Sequence, residues 1–150
     1  MSVRLVVAIL LLAALAGGLW WTASLTPESK KVVTAEFPVF VVGPEGDVLA
    51  NGTVLAQGTP FDVLQALATE RGFAVEVEQQ TWIGSGCTAQ YIVGIAGHRE
   101  SVTGGWNYYT RQPGGNWTWQ AAGAACHVLQ HGDQVEWCWV ETDVCRHHVA

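Results

Sequence analysis

Two segments near the end of the chain alternate large apolar residues with polar ones, which is the pattern of half-buried β-strands. In residues 104–109, Trp106 and Tyr108 point to one side while Asn107 and Tyr109 point to the other. In residues 132–140, the odd-numbered positions from 135 to 139 are all large and apolar. We therefore predict two strands of one sheet, with the core built around their aromatic side chains.

Shorter apolar runs predict the remaining elements. Strands are expected over residues 32–42, 48–57, 73–78 and 91–97, and a helix between Thr59 as N-cap and Gly72 as C-terminal stop, with Pro60 at its first position. Residues 79–90, 97–100 and 112–130 are predicted as loops, turns and a connector. The order of hairpin, helix and further strands predicts an α+β domain with one helix packed on a mixed sheet, the outline of a β-grasp.

The first 25 residues have the form of an export signal. Arg4 precedes an apolar run over residues 5–16, and Ala14 and Ala16 fit a small-x-small cleavage site. Low polarity continues through Trp20 and Trp21 to Leu25, and about twenty apolar residues suffice to span a bilayer. We therefore predict that this segment is either a cleaved signal peptide or a transmembrane anchor, and that residues 26–31 form a tether. Residues 32–150 would then be an extracytoplasmic domain, either membrane-anchored or secreted.

The charge balance argues against a nucleic-acid partner. The 150-residue chain has a formal net charge of -6, and only 13% of its residues are charged. One of the seven Lys and Arg residues, Arg4, lies in the leader, so six remain against thirteen Asp and Glu. Phosphate binding needs clustered cations. An acidic domain rich in tryptophan and glycine points instead to small molecules, sugars or other proteins.

Four cysteines follow the leader, and in an oxidising compartment an even number predicts disulfides. Of the three possible pairings we favour Cys87 with Cys126, and Cys138 with Cys145, because the second pair would tie the C-terminal tail to the last strand. The alternative is a metal site. The chain has no Cys-x-x-Cys pair, and its cysteine and histidine spacings match no zinc pattern, so no metal is predicted.

Five short motifs in this order resemble the transcobalamin-like C-terminal domain family, β-grasp modules of bacterial surface proteins and of the vertebrate cobalamin carriers. The likeness runs from about residue 33 to residue 140. The chain departs from the family pattern at residues 110–112 and inserts residues 113–119. The motifs that carry the likeness are VVGPEG (41–46), GTPFDVLQAL (58–67), YIVGIAG (91–97), GWNYY (105–109) and GDQVEW (132–137).

The resemblance implies a ligand site on the aromatic strand. Trp106, Tyr108 and Tyr109 match the strand that faces the ligand in the cobalamin carriers, although packing in the core is the other interpretation of these rings. A corrinoid or another small molecule is the implied ligand, and no further cofactor is predicted. In the carriers a separate helical domain supplies the other half of the site, so a partner is expected here.

Two tryptophans in the glycine-rich insert support a second interpretation. Trp117 and Trp119 lie on one face if the insert is extended, and would then form a platform for a protein or a polysaccharide. The alternative is a cap over the end of the sheet. Trp82, in another predicted loop, could join either aromatic cluster.

Catalytic motifs are not found. The chain has no nucleophile elbow, no recognisable carboxylate pair and no phosphate-binding glycine loop. His127 and His131 have the spacing of ligands on one helical face, but the Gly132 turn follows at once. We therefore predict a binding module and not an enzyme.

Overall fold

The computed structural model describes residues 34–81, 88–141 and 145, which belong to a compact unit from Lys31 to Ala150. These residues form eight strands and one helix. The leader (1–25), the tether (26–31), Trp82 and Cys87 lie outside the described residues, and no helix within those described is long and apolar enough to cross a membrane. The elements are β1 (Thr34–Val42), β2 (Val48–Gln57), α1 (Pro60–Arg71), β3 (Val75–Thr81), β4 (Thr88–Ile95), β5 (His98–Arg99), β6 (Gly105–Arg111), β7 (Thr118–Trp119) and β8 (Gln134–Val140).

The strands form two sheets. A five-stranded sheet has the order β2-β1-β8-β6-β7, and a three-stranded sheet has the order β3-β4-β5. The β1–β8 pair is parallel and the other pairs are antiparallel, so the larger sheet is mixed. The predicted α+β class, with a helix packed against a mixed sheet, is confirmed, and the separate small sheet adds to it.

The helix begins and ends at the predicted residues. Thr59 has an extended backbone, and its Oγ1 accepts a hydrogen bond from the Asp62 N–H at 3.2 Å, which satisfies one of the free donors of the first turn. Gly72 is left-handed (φ 73°), and its N–H donates to the Ala68 carbonyl at 2.8 Å. Leu64 and Leu67 are fully buried in the core cluster shared with the five-stranded sheet.

The predicted aromatic strands β6 and β8 are neighbours, and their rings pack in pairs. Trp106 lies opposite Trp139 and Tyr108 opposite Trp137, with ring centroids 5.5 Å and 5.4 Å apart. A Cβ built at Gly104 would lie 2.6 Å from Trp139 Nε1, so glycine is needed for the Trp139 ring to occupy this place. The expected location of the core is confirmed.

Three predicted loop regions contain strand residues. β3 continues to Thr81 and β4 already begins at Thr88, and these two residues pair with each other, so the predicted loop 79–90 is shorter than expected. The predicted turn at 97–100 contains β5, and the predicted loop 112–120 contains β7. Polar side chains obscured these strands in the sequence, whereas the ladder bonds depend on backbone groups alone.

Candidate ligand-binding pocket

A cavity of about 200 Å³ lies beside the strands where the two sheets approach each other. Its walls include Gln90, Tyr91 and Ile92 of β4, Trp106, Asn107 and Tyr108 of β6, and Trp137 of β8. Residues 119–124, which follow directly from β7, form another wall. β4 and β6 each contribute three consecutive residues, whose side chains alternate between the two faces of a sheet. The pocket therefore lies along the edges of these strands as well as against a sheet face.

The pocket exists because two of the strands are very short. β5 pairs with β4 only at Gly94 and Ile95, and β7 pairs with β6 only at Tyr109 and Thr110. The parts of β4 and β6 that line the pocket therefore lie beyond both of these ladders. A longer β5 or β7 would occupy the space that the pocket takes.

Hydrogen bonds hold the walls in place. The Tyr108 hydroxyl donates to the Ala122 carbonyl at 2.5 Å and joins β6 to the wall formed by residues 119–124, and its burial raises the Tyr108 pKa far above the usual value. Trp106 Nε1 donates to the His98 carbonyl at 2.8 Å and joins the two sheets. The wall also bonds to α1, whose Phe61 N–H donates to the Ala124 carbonyl at 3.3 Å. The pocket is thus largely preformed.

Two buried polar atoms on lining residues have no hydrogen-bond partner within the described part of the chain. They are the donor Trp137 Nε1 and the acceptor Gln90 Oε1. Trp137 is only 2% exposed. Leaving a buried donor or acceptor unpaired costs about 1 to 3 kcal/mol.

The lining is uncharged and offers few reactive groups. The described lining residues include no Lys, Arg, Asp, Glu, His, Ser or Cys. The Tyr91 hydroxyl is hydrogen-bonded to the Glu100 side chain; burial, and then the Glu100 and Glu78 carboxylates, raise the Tyr91 pKa. An apolar pocket with a few polar groups is typical of sites for small ligands.

The structure divides the predicted ligand residues between two places. Trp106 and Tyr108 line the pocket, and so does Trp119, which touches it from the sheet edge. Tyr109 and Trp117 lie in a different cluster, on the opposite face of the five-stranded sheet. The five predicted ligand residues that the structure describes do not form one site, because successive side chains of β6 point to opposite faces. The sixth, Trp82, lies outside the described residues.

Sequence reasoning missed part of the pocket. Trp137 was assigned to the core, and Gln90 to a loop. The alternation of β8 grouped Trp137 with Val135 and Trp139 on one face, but the ladder register decides that this face is the one of Trp106 and Tyr108. No comparable signal existed for Gln90, because the start of β4 was not recognised.

On the opposite face of the five-stranded sheet, the aromatic rings pack against other side chains of that same face. The Trp117 ring makes an edge contact with Phe40, with centroids 6.5 Å apart, and the Arg111 guanidinium lies 4.6 Å from its centroid. Arg111 Nε also donates to Gln134 Oε1 at 2.8 Å. Tyr109 is buried there at 8% exposure. Trp117 therefore packs against side chains of this face of the sheet.

A disulfide and a buried carboxyl lie on this same face of the sheet, beside Tyr109 and Trp117. Cys138 and Cys145 are joined as predicted, and Cys126 is also disulfide-bonded, although its predicted partner Cys87 is outside the described residues. Glu136 is fully buried, with Oε1 3.0 Å from the Cys145 sulfur, and burial raises its pKa to about 7 despite the opposing effect of Arg111.

This cluster is also the one group of potential metal ligands found in the described part of the chain. Ligand atoms of Glu136, Cys138 and Cys145 lie within 4.8 Å of one another. Metals bind the thiolate form of cysteine, and here both sulfurs are in a disulfide. The oxidised protein therefore offers only the Glu136 carboxyl at this position.

No family model matches the chain. A search of the curated proteins likewise finds no match. The resemblance to the transcobalamin-like domains therefore remains a prediction from the five sequence motifs.

Proposed function

We propose that the chain is an exported, non-catalytic β-grasp module that binds a small molecule in the aromatic pocket. The observation that carries the proposal is the preformed apolar cavity of about 200 Å³ with an unpaired buried donor, Trp137 Nε1, on a lining residue. The order of strands and helix and the five family motifs support the β-grasp type. The Cys138–Cys145 disulfide supports an oxidising, extracytoplasmic location.

The composition of the pocket supports binding without catalysis. Acid-base and nucleophilic catalysis use groups such as His, Glu, Asp, Ser or Cys, held within hydrogen-bond reach of the reacting atoms. The described lining residues contain none of these, and the hydroxyls of the two lining tyrosines are engaged, Tyr108 by the Ala122 carbonyl and Tyr91 by the Glu100 side chain. What the lining does provide is ring surface and amide groups, which bind and orient a ligand.

The size of the cavity limits the part of a corrinoid that it could take. Pockets that enclose drug-sized ligands measure roughly 300 to 1,000 Å³, and a corrinoid is larger than such ligands. A cavity of about 200 Å³ accepts one ring or one side group. A corrinoid ligand would therefore need a partner domain to cover the rest of it, whereas a small free ligand would not.

The second candidate function is docking of a protein or polysaccharide on the tryptophans of the insert. The observation in its favour is that Trp119 is 55% exposed. In the ladder Trp119 lies opposite Tyr109, which packs with Trp117, so Trp119 is at the sheet edge between the pocket and the face that holds Trp117. Exposed aromatic residues are typical anchors of binding surfaces.

One pair of variants separates the two functions. Trp119 lines the pocket and Trp117 does not, so Trp119→Ala is expected to weaken binding of phenol, a single-ring probe, about five- to tenfold, while Trp117→Ala leaves it unchanged. The measurement is a calorimetric titration of the full chain. A docking platform would instead lose a protein or glycan partner with either variant.

Two outcomes would contradict the pocket as the binding site. The first is equal weakening of phenol binding by Trp117→Ala and Trp119→Ala. The second is absence of phenol binding at near-millimolar concentration in a folded sample. A parallel titration with a corrinoid tests the family-derived ligand, for which the pocket alone predicts weak binding.

A further inference from the structure

The cluster of Glu136, Cys138 and Cys145 lies on the face of the five-stranded sheet opposite the aromatic pocket, and the proposed function does not use it. Glu136 and Cys138 are two positions apart on β8, so their side chains share one face. Cys145 is held beside them by its disulfide to Cys138. One ligand atom from each residue lies within 4.8 Å of the other two. The fold therefore brings three potential metal ligands together.

The disulfide decides whether the two sulfurs are available to a metal. A dithiol reductant would transfer two electrons and two protons to the pair, and would itself become a cyclic disulfide. The two sulfurs would then be thiols, and a metal ion releases their protons when it binds. Cys138 and Cys145 have a sequence separation of only 7, so the chain keeps them close after the bond is broken.

The spacing of the three ligand atoms suits a small tetrahedral ion. Sulfur and oxygen ligands of tetrahedral Zn²⁺ are about 3.5 to 3.8 Å from one another, since the metal–ligand bonds are about 2.0 to 2.3 Å long. The atoms of the cluster already lie within 4.8 Å of one another. The Cα atoms of the two cysteines are 5.8 Å apart, so rotation of their side chains is enough to reach this spacing after reduction.

The charges around the cluster also suit a divalent ion. Two thiolates and one carboxylate carry three negative charges, of which the ion cancels two. Arg111 can offset the third, because burial raises the Glu136 pKa and the positive charge of Arg111 opposes this rise. Val42 and Tyr109 belong to the same buried cluster as the cysteines, and apolar surroundings strengthen the attraction between opposite charges.

We propose that Glu136, Cys138 and Cys145 bind a Zn²⁺ ion when the Cys138–Cys145 disulfide is reduced. Thiolate ligands favour Zn²⁺ over Mg²⁺ and Ca²⁺, which prefer oxygen ligands. Three protein ligands leave the fourth position of the ion to a water molecule. Cys145 is thus joined to β8 by the disulfide in the oxidised protein and by the metal ion in the reduced protein.

The test uses Co²⁺, whose absorption reports its ligands, on the full chain reduced with a phosphine. A phosphine replaces the dithiol because a dithiol would bind the metal. It takes the oxygen of one water molecule while the disulfide gains two electrons and two protons. The reduced protein is expected to develop the charge-transfer absorption of thiolate-bound Co²⁺ and to lose it when Zn²⁺ is added. The oxidised protein is expected to show no such absorption.

Two pairs of variants separate this site from the other cysteines and carboxylates. Cys145→Ser should abolish the charge-transfer absorption, whereas Cys126→Ser, which removes a cysteine of the other disulfide, should retain it. Glu136→Gln keeps the size of the side chain and removes its charge, so the Kd for Co²⁺ should rise at least about tenfold. Glu141→Gln, at an exposed position, should leave this Kd unchanged.

Four results would overturn the proposal. The first is absence of charge-transfer absorption in a reduced sample that keeps its native far-UV circular dichroism spectrum. The second is an equal effect of Cys145→Ser and Cys126→Ser, and the third is an unchanged Kd in Glu136→Gln. If reduction unfolds the chain, Zn²⁺ is expected to restore the native spectrum, and failure to restore it is the fourth. Phenol binding is measured separately, so the proposed function is tested independently of this site.

Discussion

Replacing Trp137 with alanine is expected to lower the free energy of unfolding by about 3 to 5 kcal/mol, the usual cost of removing a large buried aromatic side chain. Trp137 is 2% exposed and packs against Tyr108 in the middle of the five-stranded sheet. The loss would also remove one wall of the pocket. Urea unfolding followed by far-UV circular dichroism measures it.

The matched control for this prediction is Trp119→Ala, which deletes the same side chain from an exposed position. Trp119 is 55% exposed, so its removal should cost less than about 1 kcal/mol. Trp137→Phe keeps most of the ring packing, so it should be less destabilised than Trp137→Ala. Equal destabilisation by Trp137→Ala and Trp119→Ala would show that the core is not centred on β8.

In the natural protein the free energy of unfolding is expected to decrease as pH rises, because of the Glu136 carboxyl. Replacing Glu136 with glutamine is expected to remove this decrease. Burial raises the Glu136 pKa from its ordinary 4.5 to about 7. Between these values the folded state binds more protons at this site than the unfolded state, so the stability contributed by the protonated carboxyl is present below pH 4.5 and is lost as pH rises through 7. A glutamine does not titrate.

The measurement is urea unfolding of both proteins at pH 5 and pH 8. The free energy of unfolding of the Glu136→Gln protein, relative to that of the natural protein, should be about 2 to 3 kcal/mol higher at pH 8 than at pH 5. The comparison between the two proteins cancels the contribution of the other titrating groups. A constant difference across this range would mean that the Glu136 carboxyl is ionised in the folded protein at pH 5.

The elements that could be predicted are those with strong local signals. The helix was identified by the Thr59 cap, Pro60 and the Gly72 stop, all of which act within one turn of the helix. The presence of β6 and β8 in one sheet followed from the alternation of large apolar residues, since such strands bury one face. The Cys138–Cys145 disulfide followed from the short loop that it closes.

The pocket could not be predicted because it depends on what the short strands leave uncovered. β5 and β7 have two residues each, and a two-residue strand has no periodicity to detect. Gln90 becomes a lining residue only because β4 begins earlier than its apolar run. The burial of Glu136 was equally hidden, because its face of β8 is covered by Cys145 and by rings distant in sequence.

The central claim, that the aromatic pocket is a ligand site, is tested most directly by the indole N–H resonance of Trp137 in ¹H–¹⁵N spectra of the full chain. Addition of phenol is expected to shift this resonance with saturation, because the Trp137 ring lines the pocket, while the resonance of Trp117, which packs in the cluster on the opposite face, stays in place. A Trp137 resonance that does not move with phenol at near-millimolar concentration, in a folded sample, would contradict the claim.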